Sequence, residues 1–427
     1  MKNARSAAVT ALVEVETKGG YSNLVLKNLF SESGLSPADR SLAAALFYGV
    51  LDRKLTVDYI LNRLLKKGIK SVKPFTAAVL RISAYQLLFM ERIPDSAAVN
   101  EAVKLVKGSR ESYNAGLVNA VLRNLIRNGA DLPEGSDTAS LSVRYSCPEW
   151  IIKSFAEDYG YENALGIIKT SLEEPPVILH VNTLRVSAAE LCGILNGEGV
   201  NAEEIPDENA LSVYGGIAVE SLESYKKGLF FVQDLACQRS IAKLQPKAGE
   251  RVIDLCAAPG GKSLAAALLM KNQGEIKAFD IYEKRVELIN RSARRLGLSC
   301  ISADTADAEI FNPQLGKFNA VICDVPCSGL GVLRRKPEIK YKKTDSLQLR
   351  ALEEAQRKIL DNAAGYTAPG GRIIYSTCTL RKAENEEQIK SFLDRNGTFA
   401  VQYEHTYFPH IDRTDGFYCA ILVNSKR

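Results

Sequence analysis

The stretch Arg251-Val252-Ile253-Asp254-Leu255-Cys256-Ala257-Ala258-Pro259-Gly260-Gly261-Lys262-Ser263 decides the fold. Its first five residues are mostly β-branched or apolar and predict a strand. Small residues, a proline and paired glycines follow and predict a tight turn. A Leu/Ala-rich segment then predicts a helix. Further along, Ile276 to Asp280 reads as the next strand and Glu283 to Leu296 as the next helix. Ala320 to Val325 and Gly371 to Ser376 are two more strands, and Gly416 to Val423 is a late apolar one. Alternating strands and helices over residues 236–427 predict an α/β domain with a parallel, doubly wound sheet. Such sheets bind ligands at the carboxyl ends of their strands, where loops and helix N-termini converge.

Three loops at those ends carry the chemistry. Gly260-Gly261 lets the backbone approach a ligand closely, and the next helix offers free N–H groups. The spacing is neither that of a Walker A loop nor the dinucleotide G-x-G-x-x-G. Asp280 ends the second strand, 26 residues after Asp254. A carboxylate there commonly accepts hydrogen bonds from a ribose diol. It could equally cap the helix that begins near Tyr282-Glu283. A nucleoside-containing cofactor without a pyrophosphate fits these features, and S-adenosylmethionine is such a molecule. The second loop is Asp324-Val325-Pro326-Cys327-Ser328-Gly329, and the third is Tyr375-Ser376-Thr377-Cys378-Thr379. Each places a cysteine at a strand end over the expected cofactor crevice.

Upstream, residues 1–135 read as all helix, with sparse glycine and proline. Ser36-Pro37-Ala38-Asp39 supplies an N-cap, a proline at the first helical position and an acid in the first turn. The helix after it is expected to place Leu42, Ala45, Leu46 and Gly49 on one face. Asp95-Ser96 opens another, with Ala98, Ala102, Leu105 and Val106 inside. Residues 115–128 are expected to bury Leu117, Val118, Val121, Leu122 and Leu125, and to expose Asn119, Arg123 and Arg127. Residues 128–140 have linker composition. Residues 141–235 predict a small α+β unit. A helix follows Pro148, strands run at 177–181, 211–213 and 229–232, and a Ser-capped helix spans 187–195.

Composition excludes several classes. The longest apolar-and-glycine run, Leu42 to Leu51, has ten residues, about half of the roughly 20 needed to span a bilayer. Glu14 and Glu16 interrupt the first apolar stretch, against a secretory signal. Nine scattered cysteines with no C-x-x-C pair, and only three histidines, argue against disulfides and a metal site. A reducing, cytoplasmic setting is expected. The net charge is +5. Residues 1–140 hold 19 Lys+Arg against 13 Asp+Glu, and the remainder 36 against 37. The basic excess therefore lies in the first third, where either an anionic partner such as RNA or a solvated helical surface explains it.

Cytosine C5 chemistry accounts for the thiols. That carbon is too weak a nucleophile to accept a methyl group directly. A thiolate adding to C6 makes C5 enamine-like, which is covalent catalysis by cysteine. A carboxylate near N3 assists addition, and a base must finally remove the C5 proton. Asp324, Cys327 and Cys378 supply suitable groups. Chemistry alone does not say which cysteine attacks.

The strings VIDLCAAPGGKS, DVPCSGLGVLRRKPEIK and GGRIIYSTCTLRKAENEEQ resemble the RNA cytosine-5 methyltransferases. RSLAAALFYGVLDRKLTVDYIL, VLRISAYQLLFMERIP, AVNEAV and LVNAVLRNLIR resemble the NusB-like RNA-binding domain of the Sun/Fmu (RsmB-like) branch, which acts on small-subunit rRNA. The resemblance covers essentially the whole chain. It implies a NusB-like domain at 1–135, a small α+β (RRM-like) domain at 141–235 and a Rossmann-like methyltransferase domain at 236–427. It implies that Cys256, Ala257, Ala258, Pro259, Gly260, Gly261 and Lys262 bind S-adenosylmethionine, with Asp280, Asp304 and Asp324. Asp307 is a neighbouring alternative to Asp304. By the same resemblance Cys378 is the nucleophile, Cys327 helps release the product, and Asp324 is the acid. Cys147, in LSVRYSCPEW, departs from the family's His before Pro.

Arg334 to Lys343 holds six basic residues in ten, directly after the Asp324–Gly329 loop. Its position there predicts phosphate contact. The target base is expected to be unstacked to reach the thiol. The partner implied is small-subunit rRNA, with no membrane, no metal and a monomeric enzyme. Transfer RNA or large-subunit rRNA is the rival substrate, and a non-catalytic assembly factor is the rival class.

Overall fold

The computed structural model describes residues 3–18, 22–342 and 346–426. Contacts divide the chain into two units, Met1–Glu173 with Leu333–Lys343, and Glu174–Val332 with Thr344–Arg427.

The first unit is helical. Its helices are α1 (Ala4–Lys18), α2 (Ser22–Ser33), α3 (Pro37–Asp52), α4 (Lys54–Leu64), α5 (Pro74–Phe89), α6 (Asp95–Lys107), α7 (Ala115–Asn128), α8 (Thr138–Arg144), α9 (Glu149–Tyr159) and α10 (Tyr161–Thr170). Ser36 caps α3 as expected, its side chain accepting from Asp39 N, with Pro37 in the first turn. Helix α5 runs through the core and buries every residue from Thr76 to Ala84. Arg81 on it is kept charged by fork hydrogen bonds to Asp58 at 2.6 and 3.0 Å and to Glu16 at 2.8 and 3.1 Å.

Two expectations about faces need correction. In α3 the buried set is Ala43, Leu46, Phe47, Gly49, Val50 and Leu51, and Ala45 is exposed. The large Phe47 rotates the stripe toward itself, since burying an aromatic side chain is worth roughly 1.5–3 kcal/mol and an alanine far less. In α7, Val118, Val121, Leu122 and Leu125 are buried, but Leu117 is 41% exposed. Four apolar residues at helical spacing already fill that face, and Leu117 falls outside it.

The second unit holds two sheets. The smaller is built from β1 (Val177–Val181), α11 (Ala188–Gly197), β2 (Ala202–Glu204), β3 (Ala210–Val213), α12 (Glu223–Lys226) and β4 (Phe230–Val232), in strand order β2-β3-β1-β4. Ser187 and Glu190 form a capping box on α11. By contacts, the helices at 138–170 are grouped with the first unit.

The larger sheet follows α13 (Leu235–Leu244). Its elements are β5 (Arg251–Asp254), α14 (Gly261–Leu269), β6 (Glu275–Asp280), α15 (Glu283–Leu296), β7 (Ile301–Thr305), β8 (Phe318–Asp324), α16 (Ser346–Tyr366), β9 (Thr367–Thr377), α17 (Glu386–Arg395), β10 (Phe399–Tyr407) and β11 (Phe417–Asn424). The order is β10-β11-β9-β8-β5-β6-β7. The five strands from β5 to β9 are parallel, four of them at predicted positions and β7 in addition. The late strand β11 runs antiparallel between β9 and β10, so the sheet is mixed. A short return from β10 admits only an antiparallel neighbour, because a parallel one needs a long crossover. The chain moves from β5 to β6 and β7 on one side, then returns to β8 on the other. The β5/β8 boundary is therefore the topological switch point, where a ligand crevice opens.

Candidate active site

At the end of β5, Asp254 is fully buried and accepts from Ser263 Oγ at 2.6 Å. Burial pushes its pKa up to about 7, against the pull of the Ser263 hydrogen bond. The turn that follows is tight. Ala257 N donates to Phe279 O at 2.7 Å, and Gly260 N to Ala257 O at 2.7 Å. Ala258-Pro259 is a cis peptide, Pro259 is exposed, and Cys256 is partly buried with its thiol pKa raised by burial. Gly260 has φ +110°, a conformation glycine adopts freely, and a Cβ there would press on Ile289 at 3.3 Å. The turn thus leaves small, closely packed backbone where a cofactor would lie.

Asp280 is 4% exposed and holds this turn from the next strand. It accepts from Ala258 N at 3.3 Å and Tyr282 N at 3.1 Å, and pairs with Arg285 at 3.2 Å. It does not cap α15, whose N-cap is Tyr282 with no side-chain cap. Beyond it lies a cavity of about 370 Å³ lined by Leu255, Phe279, Asp304, Thr305, Ala306 and Asp307, among others. Asp304 accepts from Thr305 N at 2.8 Å, and Asp307 from Glu309 N at 2.9 Å. Both acids line the cavity, so the choice between them stays open.

The two cysteine loops meet because β8 and β9 are parallel neighbours. Cys327 Sγ lies 3.1 Å from Cys378 Sγ. The hydrogen bond to Cys378 and burial raise the Cys327 pKa well above the usual thiol range. Asp324, the last residue of β8, accepts from Ser376 Oγ at 2.9 Å and pairs with Lys262 Nζ at 2.6 Å. Lys262, expected among the cofactor contacts, thus reaches the acid of the cysteine loop. Burial is the largest single influence and works against its ammonium, but Asp324, Cys237 and Asp254 together outweigh it and raise its pKa. Lys262 Nζ also approaches Cys237 Sγ at 3.7 Å and the Phe417 ring at 5.0 Å.

Sequence reasoning missed the group that ties the two loops together. Glu384, fully buried, accepts from Ser328 N at 2.9 Å, Ser328 Oγ at 2.6 Å, Gln356 Nε2 at 3.0 Å and Arg381 at 3.0 Å. Ser328 Oγ meets Thr379 Oγ1 at 2.8 Å, and Asn385 joins Thr377 at 2.6 Å. Gly331 N donates to Cys378 O at 2.9 Å, and a Cβ at Gly331 would run into Gly416 O. The Glu of LRKAENEEQ was visible in the sequence, but nothing local marks it as a partner of a loop some 56 residues earlier.

Within the basic run after the cysteine loop, one expected phosphate contact, Lys340, is withdrawn from the surface. Leu333–Lys343 is grouped with the helical unit, and Pro337–Tyr341 forms a 3₁₀ turn with Pro337, Glu338, Ile339 and Lys340 buried. Lys340 is 1% exposed and donates to Asp52 O at 3.1 Å. Tyr341 OH meets Ser146 Oγ at 3.1 Å. The alternation of Pro and Ile with the basic residues buries the turn and takes Lys340 with it. Lys336 and Lys342 are exposed, and Lys343 lies outside the described residues.

A Rossmann-like domain with a glycine-rich first turn, an acid ending the second strand and a crevice at the switch point has the layout of an enzyme that binds a nucleoside cofactor, and without a dinucleotide fingerprint it fits an S-adenosylmethionine-dependent methyltransferase. Family models agree. One described as 16S rRNA methyltransferase RsmB/F matches residues 241–423, NusB family matches 2–127, and an RsmF/B-like ferredoxin-like domain matches 147–220. The probable ribosomal RNA small subunit methyltransferase B of Bacillus subtilis (strain 168) is 38% identical over 402 residues, covering 92% of this chain and 89% of that protein. The ribosomal RNA small subunit methyltransferase B of Vibrio cholerae serotype O1 is 33% identical, covering 98% and 97%. The chain belongs to this family of rRNA small subunit methyltransferases. The crystal structure of PH0851 shares the fold over 97% of this chain and 98% of its own, with TM-score 0.82 and 24% identity. NSun6 from Pyrococcus horikoshii, solved with the S-adenosylmethionine analogue SFG, matches 66% of this chain and 99% of its own with TM-score 0.60 and 22% identity. The chain is accordingly an S-adenosylmethionine-dependent rRNA methyltransferase with a helical NusB domain, a ferredoxin-like middle domain and a Rossmann-like catalytic domain. No described helix is long and apolar enough to cross a membrane, and no metal-holding group occurs among the described residues.

Proposed function

We propose that this enzyme methylates C5 of a cytosine in 16S (small-subunit) rRNA through a covalent adduct between Cys378 and C6. The carrying observation is the pair of sulfurs 3.1 Å apart beside an Asp324 fixed by Lys262 and Ser376. A methylase of exocyclic amines needs no thiol, and two are supplied here.

The cofactor residues fit their role. Gly260 and Gly261 keep the turn free of bulk, Asp280 faces the turn from the second strand, and Asp304 or Asp307 closes the cavity beyond. When bound, S-adenosylmethionine supplies an electrophilic methyl group for C5. Cys378 attacks C6 as the thiolate, and Asp324 assists at N3 as acid or hydrogen-bond partner. Lys262 orients that carboxyl and balances its charge. Two thiols in contact do not both ionise readily, so the pair gives up one proton at a time, and the proposed mechanism uses the Cys378 thiolate beside a protonated Cys327. At release a base takes the C5 proton, the C5=C6 bond reforms, and the C6–S pair returns to Cys378. Cys327, already in contact, is the group assigned to assist. Both cysteines and the cofactor cradle lie in one unit of one chain, which supports a monomer. Nine cysteines, none in a disulfide, support a reducing, cytoplasmic setting.

The test uses transcribed 16S rRNA, S-adenosylmethionine and three proteins, namely wild type, Cys327→Ala and Cys378→Ala. A denaturation-resistant RNA adduct should accumulate with Cys327→Ala and be absent with Cys378→Ala. The reverse pattern would exchange the two roles. Cofactor binding without any 5-methylcytosine would move the proposal to another RNA.

A further inference from the structure

We infer that Cys327 and Cys378 form a peroxide-reactive dithiol that closes to a reversible disulfide and switches the enzyme off. The sulfurs are 3.1 Å apart in the thiol form. A disulfide needs about 2.05 Å, so about 1 Å of approach suffices. A zinc chelate, with Zn–S near 2.3 Å and tetrahedral angles, would hold two sulfurs about 3.8 Å apart. The pair is thus closer than a metal bite and nearer to bonding distance. Both cysteines are partly exposed, so a small oxidant reaches them.

The other seven cysteines lack this arrangement. No other cysteine pair is within hydrogen-bonding distance among the contacts described. Cys147, Cys323 and Cys419 are buried. The loops carrying the pair are held side by side by Ser328–Thr379 at 2.8 Å and by Gly331 N to Cys378 O at 2.9 Å. Neither loop is helical, and Gly329 at φ +75° lies two residues beyond Cys327. The sulfurs are therefore brought together by the loops and can approach further without breaking an element.

The reaction balances with a hydroperoxide as oxidant. One sulfur attacks the peroxide oxygen, giving a sulfenic acid and releasing water from hydrogen peroxide. The second thiol displaces that hydroxyl, forming the S–S bond and a second water. Two thiols lose two electrons and two protons, and the peroxide is reduced. Cys378 is the sulfur expected to react first, since it is the proposed nucleophile and acts as the thiolate. Cys327 then resolves the sulfenic acid before it is oxidised further. The bond removes both proposed catalytic thiols at once, and an exogenous dithiol restores them by exchange. The loss of activity rests on the proposed catalytic roles, whereas the bond rests on geometry alone.

The test treats the full-length enzyme with low millimolar hydrogen peroxide and reads peptide masses and methylation together. The expected product is one linked pair of the Cys327 and Cys378 peptides, about 2 Da below their sum. Methylation should fall at least tenfold and return with dithiothreitol, while S-adenosylmethionine binding by calorimetry persists. In Cys327→Ser the link should vanish, and Cys378 should gain about 32 Da, which dithiothreitol does not reverse. Cys237→Ser should still form the link. Two unmodified thiols after treatment, or direct gain of about 32 Da at Cys378 in the wild type, would overturn the inference. A linked pair with full methylation would instead remove both cysteines from the catalytic reading, and the switch with them.

Discussion

Two buried lysines sit beside aspartates in this molecule, and they behave in opposite ways. Lys262, in the catalytic unit, places Nζ 2.6 Å from the Asp324 carboxylate, and its pKa is raised. Lys340, in the helical unit, donates instead to the backbone carbonyl of Asp52 at 3.1 Å. Its pKa is lowered by burial, with the Asp52 charge only partly restoring it. Asp52 in turn is raised to about 6, first by burial, and its Oδ1 has no hydrogen-bond partner. The lesson concerns direct pairing. A buried ammonium that touches its carboxylate stays a firm charge, and one that touches only a carbonyl is weakened by the same burial. The first arrangement suits a site that must hold an acid in place during reaction. The second suits a packed surface whose stability depends on which partner carries a proton.

The comparison breaks most severely at Lys262. Lys262→Met should lower kcat by about 10²–10⁴-fold, the usual worth of a positioned acid–base group, with little change in KM for S-adenosylmethionine. Asp324→Asn should fall in the same range, because the two act as one unit. A rise in KM for the cofactor with kcat preserved would return Lys262 to the cofactor-binding role expected from the sequence.

That expectation shows where sequence reading ends. The strand-turn-helix of residues 251–269, the strands β5, β6, β8 and β9 and the two cysteine loops were legible because each is local in sequence, whereas β7 (Ile301–Thr305) carries no apolar run to mark it. The reach of Lys262 to Asp324 was not, because it is fixed by strand order rather than by spacing. Glu384 was invisible for the same reason, since its partners Ser328 and Gln356 come from other segments. The turn Pro337–Tyr341 misled because a basic run describes charge but not packing. Here the apolar Pro337 and Ile339 decided where Lys340 went. Leu117 and Ala45 show the milder version, a correct helix with its stripe rotated by one neighbour.

The next effect is pH-dependent and distinguishes the two clusters by their windows. Asp254 and Asp52 have native pKa values of about 7 and about 6, both raised from 3.8. In each, the native state holds a proton that the unfolded chain has already lost. Stability therefore falls as pH rises from near 4, and the loss is complete above the native value. The shifts correspond to roughly 4 kcal/mol for Asp254 and roughly 3 kcal/mol for Asp52. Asp254→Asn should remove a decline extending from about pH 4 to 7, and Asp52→Asn one that ends near pH 6. Denaturant unfolding at half-unit pH steps reads both. Identical slopes in variant and wild type would show that neither acid holds its proton in the folded state.

The smallest effect tests the surface reading of the basic residues against the burial of Lys340. Arg123 and Arg127 on α7 are exposed, as the sequence expected, whereas Lys340 is not. An exposed cation that neutralises a phosphate contributes about one unit to the slope of log affinity against log salt. Arg123→Gln with Arg127→Gln should reduce the slope for 16S rRNA by up to about 2. Lys340→Gln should leave it at the wild-type value, because a side chain sealed against Asp52 O cannot release a counterion. A flattened slope with Lys340→Gln would mean that the turn opens when RNA binds. The two lysines would then differ not in pairing alone but in whether the fold lets go of them.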